Sequence, residues 1–481
     1  MKHITQALFA GLSVIIFSGW IHSVKAQPTV LDQKLDVRTV VSELVTPTSM
    51  AFLGDNDILV LEKDTGKVQR VIDGVIEATV LDLAVNFASE RGLLGIALHP
   101  DLSNNPFVYL YWTESTTGTD TDVLSETSLL GNRVDRFVWD GSSLTFAQNL
   151  IQLRAIQDDV TNGVERGNHD GGVLRFGPDG KLYIFIGDVG RRGQMQNLPN
   201  GPFDDPSLPD DQFGGPEPDD AHLTGVILRL NDDGTTPTGN PFFDIGAAMG
   251  GEVGANIQKV FSYGHRNAFG MAFDPISGDL WLAENGDDTF TELNRVEPGM
   301  NGGWVQIMGP VERIAQFKAI ETTFDNQDLQ QVRWPPTNIA DTPEEALARL
   351  FMLDSVSRYS DPEFSWKFEV APAGIGFLNS RALGPQYQGD LFTGAARLFL
   401  EGGQIFHFNL TGNRRKIGVD DSRLEDRVAD NLDKFEITES ESLLFGRNFG
   451  IGTDIQTGPN GNLFVVSLSD GAIYEIFRRR R

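Results

Sequence analysis

Asn168-His169-Asp170-Gly171-Gly172 is the stretch of this sequence best equipped for proton transfer. A general base needs an imidazole whose tautomer is held by a polar neighbour and whose other nitrogen is open to a substrate proton. Asn168 and Asp170 can hold the ring, and the two glycines let a ligand approach the backbone. A loop histidine taken at random is more often satisfied by backbone in a turn; these neighbours argue for chemistry.

Two further stretches carry useful side chains. In Tyr263-Gly264-His265-Arg266-Asn267, the Arg266 guanidinium is a fork of donors suited to a planar carboxylate or quinone edge. In a chain this acidic it could equally pair with a surplus carboxylate. Ala283 to Asn294 is rich in oxygen, and carbonyls around Gly286-Asp287 with nearby carboxylates are hard ligands suited to Ca²⁺. The spacing is not that of an EF-hand loop, and Asn-Gly-Asp-Asp is also a good turn.

These loops must be positioned by strands. Val173 to Phe176, a Pro-Asp-Gly turn, and Leu182 to Phe185 read as strand, turn, strand. The same grammar recurs from Met50, Leu94, Gly270, Ala373 and Ile455, making six units with an average period above about 70 residues. The expected fold is all-β: a six-bladed β-propeller with four-stranded antiparallel blades and long loops on one face. Radial closure removes most exposed edges, and the lead-in at 28–47 is expected to close the last blade. Insertions at about 115–130, 191–221 and 305–365 break the period, and the last carries the one clear helix, from Thr342 to Phe351.

Composition narrows the setting. Residues 1–26 read as a signal peptide, with Lys2 ahead of an apolar run and cleavage after Ala26, leaving 27–481 as one domain. With no cysteine there is no lipobox, disulfide or thiolate site, so the expected location is periplasmic or secreted. The net charge of −28 argues against nucleic acid or an anionic membrane as partner. No further apolar span follows the signal.

Four segments, in order, resemble the soluble glucose and aldose-sugar dehydrogenases that depend on pyrroloquinoline quinone (PQQ), the glucose/sorbosone dehydrogenase family. They are Glu90 to Asp101, Gly167 to Asp188, Gly264 to Asn267 with the residues directly after it, and Glu284 to Trp304. The resemblance implies a six-bladed propeller enzyme that oxidises an aldose-type sugar or polyol at the C1 hydroxyl. It implies His169 as the base assisting hydride transfer to PQQ, with Glu90 near the substrate and Asp188 as a further acid of the site. It implies cofactor contacts from Arg266, Asn267 and Arg397, calcium on the carbonyls of Gly286 and Asp287, and a structural calcium position at Glu292. An external electron acceptor is implied as well.

The chain also departs from that family. Where the last blade usually brings two arginines before an Asp, it reads Ile451-Gly452-Thr453-Asp454, and the family's Asp before the histidine is Asn168. Either Arg191, Arg192, Arg397 or Arg447 compensates, or quinone affinity is low, or the cofactor differs. The alternative function is a non-catalytic, calcium-stabilised propeller that binds a carbohydrate or protein partner.

Overall fold

The structure is a computed structural model that describes residues 26–156, 167–190, 193–198, 223–323, 336–396 and 402–480. The expected signal segment up to residue 25, Arg191, Arg192, Arg397 and most of the 191–221 insertion lie outside those residues.

Short apolar runs separated by turn residues fold as hairpins. Lys67–Ile72 and Val75–Asp82 are joined by Asp73-Gly74, both at positive φ, which is the twist a two-residue hairpin needs. The described strands pair into six sheets. The innermost strand of each packs against the next: Pro47–Gly54, Leu93–Leu98, Leu174–Phe176, Ala268–Phe273, Pro372–Phe377 and Gly452–Thr457. The last of these returns to the first, so the ring closes as a β-propeller.

The regular six-bladed plan needs correction. Five sheets are built around consecutive strands, so the self-contained blades number five rather than six. The remaining sheet is a composite of both chain ends, in which Leu35–Val41 pairs antiparallel with Ala472–Arg478. Uniform four-stranded antiparallel blades do not hold either. Met300–Asn301, Arg358–Tyr359 and Val428–Ala429 add parallel pairings, because inserted chain returns along sheet edges.

The core lies between neighbouring sheets. Trp281 and Trp366 are fully buried, with Phe406 and Phe408 packed against Trp366. Burying each such ring contributes roughly 2–3 kcal/mol before entropy costs. The helix expected from Thr342 is shorter, Pro343–Ala348, with the Thr342 Oγ1 accepting from Glu345 N at 3.2 Å. Phe243–Met249, Gly251–Ile257 and Ile314–Thr323 are helices that the strand grammar did not reveal. Among the described residues no helix is long and apolar enough to cross a membrane.

Candidate active site

In every sheet the innermost strand begins where the second strand ends, so the segments before the first and after the second share one face. Glu90 precedes Leu93–Leu98, His169 precedes Leu174–Phe176, and Arg266 and Asn267 precede Ala268–Phe273. Asp188 follows Leu182–Ile186, and Asn285 follows Leu280–Glu284. Residues far apart in the chain therefore converge on one rim.

The meeting point is tight. A Cβ on Gly187 would lie 2.3 Å from His169 O and 2.9 Å from Arg266 O. Asp188 N donates to Arg266 O at 2.8 Å, and Gly225 N donates to Gly187 O at 2.8 Å. His169 itself adopts φ 64°, followed by Gly171 at 64° and Gly172 at 96°. This left-handed winding costs on the order of 1 kcal/mol at a non-glycine residue. It turns His169 N onto Glu90 Oε2 at 2.7 Å, and Asn267 Nδ2 donates to the same oxygen at 2.9 Å.

The imidazole is held by Asp188, with Nδ1 and Oδ1 2.7 Å apart. An ionised carboxylate only accepts, so Nδ1 carries the proton and Nε2 is the acceptor. Asp188 is fully buried and fixed from two further sides: Gly190 N donates to Oδ1 at 2.7 Å, and Trp304 Nε1 donates to Oδ2 at 2.7 Å. The expectation that Asp170 orients the ring is corrected. Asp170 turns into the core, where Asn132 Nδ2 donates to its Oδ1 at 2.8 Å and Tyr111 donates to its carbonyl at 3.0 Å. Burial pushes its carboxyl up to about 7, although Arg91 and the Asn132 bond pull it down.

Arg266 is buried. Its Nη2 donates to Asp287 Oδ1 at 2.8 Å, its Nη1 to Asn285 O at 3.2 Å, and its guanidinium carbon lies 5.5 Å from the centre of the Trp304 ring. Burial works against its charge, but Asp287 foremost, with Asp188, Glu369 and Glu90 behind it, leaves its pKa above the ordinary arginine value. Around the Gly286 loop, carboxylates crowd. Asp287 Oδ2, Asp288 Oδ2 and Glu369 Oε2 are buried without a partner among the described residues. Burial raises Glu369 to about 7, and burial with Asp287 and Asp288 raises Glu321 to about 8. Among the described residues no three His, Asp or Glu side chains converge as a metal cluster, so a cation here would need backbone or ligand oxygens as well.

Glu292 sits elsewhere. It is the cross-strand partner of Glu284, and its carboxylate is taken up by Gly309 N and Asn294 Nδ2. Burial and the Glu284 charge push it up to about 8. His265 is a structural histidine, bonded through Nδ1 to Glu284 at 3.0 Å and through Nε2 to Ser262 at 3.0 Å.

Beside these loops, around the propeller axis, lies a cavity of about 380 Å³. Its wall includes Glu90, Gly172, Phe269, Asn285 and Pro372. Two basic residues that sequence reasoning overlooked, Lys63 and Arg175, also line it. The repeat could have found Lys63, which directly follows its sheet's second strand as Asn285 does. Of the cations expected to compensate, Arg447 is exposed, on a strand three places out from the innermost strand of its sheet. Arg397 lies outside the described residues.

A ring of sheets with a histidine–carboxylate pair on one rim, beside a mostly apolar axial cavity carrying a few polar side chains, defines a β-propeller with a concave pocket on its axis. Residues 44–331 match the family described as Glucose / Sorbosone dehydrogenase, and the chain belongs to that family. It is 30% identical over 285 residues to the quinoprotein glucose dehydrogenase B of Acinetobacter calcoaceticus, covering 58% of this chain and 54% of that one. It is 25% identical over 435 residues to the aldose sugar dehydrogenase YliI of Escherichia coli, covering 90% of each. In fold it is similar to the PQQ-bound aldose sugar dehydrogenase of Streptomyces coelicolor, with TM-score 0.55 at 24% identity, over 94% of this chain and 100% of the other.

Proposed function

We propose that the protein is a quinoprotein sugar dehydrogenase that oxidises an aldose-type sugar at its C1 hydroxyl, using PQQ with calcium. The observation that carries this reading is the His169–Asp188 pair, locked at 2.7 Å by Trp304 and Gly190 on the rim of the axial propeller. Family membership and the activities for which the two sugar dehydrogenase relatives are named support it.

The residues present fit the cofactor. Asn267 Oδ1 and Asp287 Oδ2 are buried polar atoms with no partner among the described residues. Arg266, Asn267 and Arg397 would hold the quinone, and the carbonyls of Gly286 and Asp287 would hold calcium. When bound, the quinone supplies hydride acceptance and calcium supplies Lewis-acid polarisation of a quinone oxygen. The rest falls to the chain. His169 Nε2 takes the hydroxyl proton, and Asp188 stabilises the imidazolium that forms. Glu90, bonded to both His169 N and Asn267, couples the base to the cofactor loop and presents its other oxygen to the sugar. We place this activity in the periplasm or outside the cell on the strength of the signal-like segment 1–26, with an external acceptor taking the electrons.

The neutral Ile451 and Thr453 on the cavity wall favour one other reading, a calcium-stabilised propeller that binds a carbohydrate or protein partner without turnover. Reconstitution separates the two. The protein is loaded with Ca²⁺ and PQQ, then given aldoses and an artificial electron acceptor. Turnover that His169→Ala abolishes while quinone binding persists supports the dehydrogenase. Absence of quinone binding by calorimetry overturns it.

A further inference from the structure

We infer that Lys63 is the cation that receives a carboxylate of the bound quinone from the first blade; the inference rests on the quinoprotein reading above. A tricarboxylate entering this cavity needs its charge met by donors on the wall, since much of its water is stripped away. Ile451 and Thr453 line that wall from the last sheet and offer no charge. Among the described residues, the basic ones that line it are Lys63 and Arg175.

Arg175 is already committed. Its Nη2 donates to Asp454 Oδ1 at 2.8 Å and its Nη1 to Leu174 O at 2.9 Å. Asp454 is only 1% exposed, and its Oδ2 accepts from Ser49 Oγ at 2.8 Å, Met50 N at 3.0 Å and Gln456 Nε2 at 2.7 Å. This pair bolts three innermost strands together, and moving Arg175 onto a ligand would leave a buried carboxylate without its counter-charge.

Lys63 is differently placed. Its ammonium has three donors. One goes to Asp64 Oδ1 at 2.9 Å and one to Phe87 O at 3.0 Å, with no third bond among the described residues. Its side chain is 15% exposed while that of Asp64 is 30% exposed, so water screens the existing ion pair from outside. A carboxylate arriving from the drier cavity side meets the third donor. The position is held from below: Gly92 presses on the Lys63 carbonyl, which accepts from Leu93 N at 3.1 Å, and the ammonium lies 5.9 Å from the Phe87 ring centre. Lys63 thus stands on the rim next to the turn that carries Glu90.

Titration calorimetry on the calcium-loaded protein tests this with two probes, PQQ and its trimethyl ester, and three proteins: wild type, Lys63→Met and Lys63→Arg. The expected result is a loss of roughly tenfold or more in quinone affinity for Lys63→Met, the size of one charge-assisted hydrogen bond. Lys63→Arg should retain most of the affinity, and the uncharged ester should bind wild type and Lys63→Met equally. Equal quinone affinity in wild type and Lys63→Met overturns the inference alone. So does a loss that is the same for acid and ester, which would make the role of Lys63 structural. If wild type binds no quinone at all, the quinoprotein reading falls, and this inference with it.

Discussion

Trp304 Nε1 donates 2.7 Å to Asp188 Oδ2, the carboxylate oxygen opposite the one that holds His169. The indole therefore decides which way the carboxylate faces, and through it which nitrogen of His169 is open. Trp304 is fully buried, and its peptide N–H donates to Gly264 O at 2.9 Å, two residues before Arg266. One residue, through its indole and its peptide N–H, ties the base to the arginine loop.

Replacing Asp188 by Asn keeps the shape and removes the charge that fixes the imidazole. Turnover of the reconstituted protein should fall by about 10²- to 10⁴-fold, as in other histidine–carboxylate pairs. Quinone affinity, measured separately, should change little. Steady-state kinetics with an aldose check the first point and calorimetry the second.

Trp304→Phe removes the donor to Asp188 and keeps an aromatic ring beside Arg266. A hydrogen bond to a charged group is worth about 1.5–3 kcal/mol, so turnover should drop by roughly 10- to 100-fold. Turnover identical to wild type would show that the bond is idle.

Gly187→Ala places a methyl group against two backbone carbonyls, His169 O and Arg266 O, neither at the end of a flexible side chain. The expected cost is about 1–3 kcal/mol of stability, with turnover lost more than stability because both loops move. Thermal melting and single-turnover rates, measured on the same preparation, distinguish the two effects.

Asp170 offers a pH-dependent stability test. Its carboxyl is raised from 3.8 to about 7 by burial. The folded state therefore binds a proton that the unfolded state has released, between about pH 4 and 7. That contribution is fully present below about 4 and is lost as pH rises through about 7. Asp170→Asn mimics the protonated form. Near pH 4 its stability should match wild type, and at pH 8 it should exceed wild type, by an amount on the order of a few kcal/mol. Denaturant unfolding at both pH values checks the sign; a variant less stable at pH 8 would contradict it.

Much of the scaffold was legible from the chain. The runs at Ile58, Leu182, Leu280 and Leu463 became second strands of their sheets because alternation and Gly-Asp turns are local properties. The helix Ile314–Thr323 was not legible, because it is stabilised by contacts of Ile314, Phe317 and Glu321 with distant loops rather than by a strong pattern of its own. The parallel strands Met300–Asn301 and Arg358–Tyr359 are two residues each, too short to register before the insertion folds back.

At the site, the sequence by itself determined that His169 lies in a glycine-rich loop between polar neighbours, that Arg266 opens another loop, and that both precede strands of a repeat. Tertiary structure decided the partners. It turned Asp170 away into the core and brought Asp188, Trp304 and Glu90 to the histidine. It set Lys63 and Arg175 on the cavity wall and seated Glu292 against Gly309. The physical reason is the ring. Strand alternation tells which face a residue takes within its own sheet, but which loops meet depends on how six inner strands close around one axis.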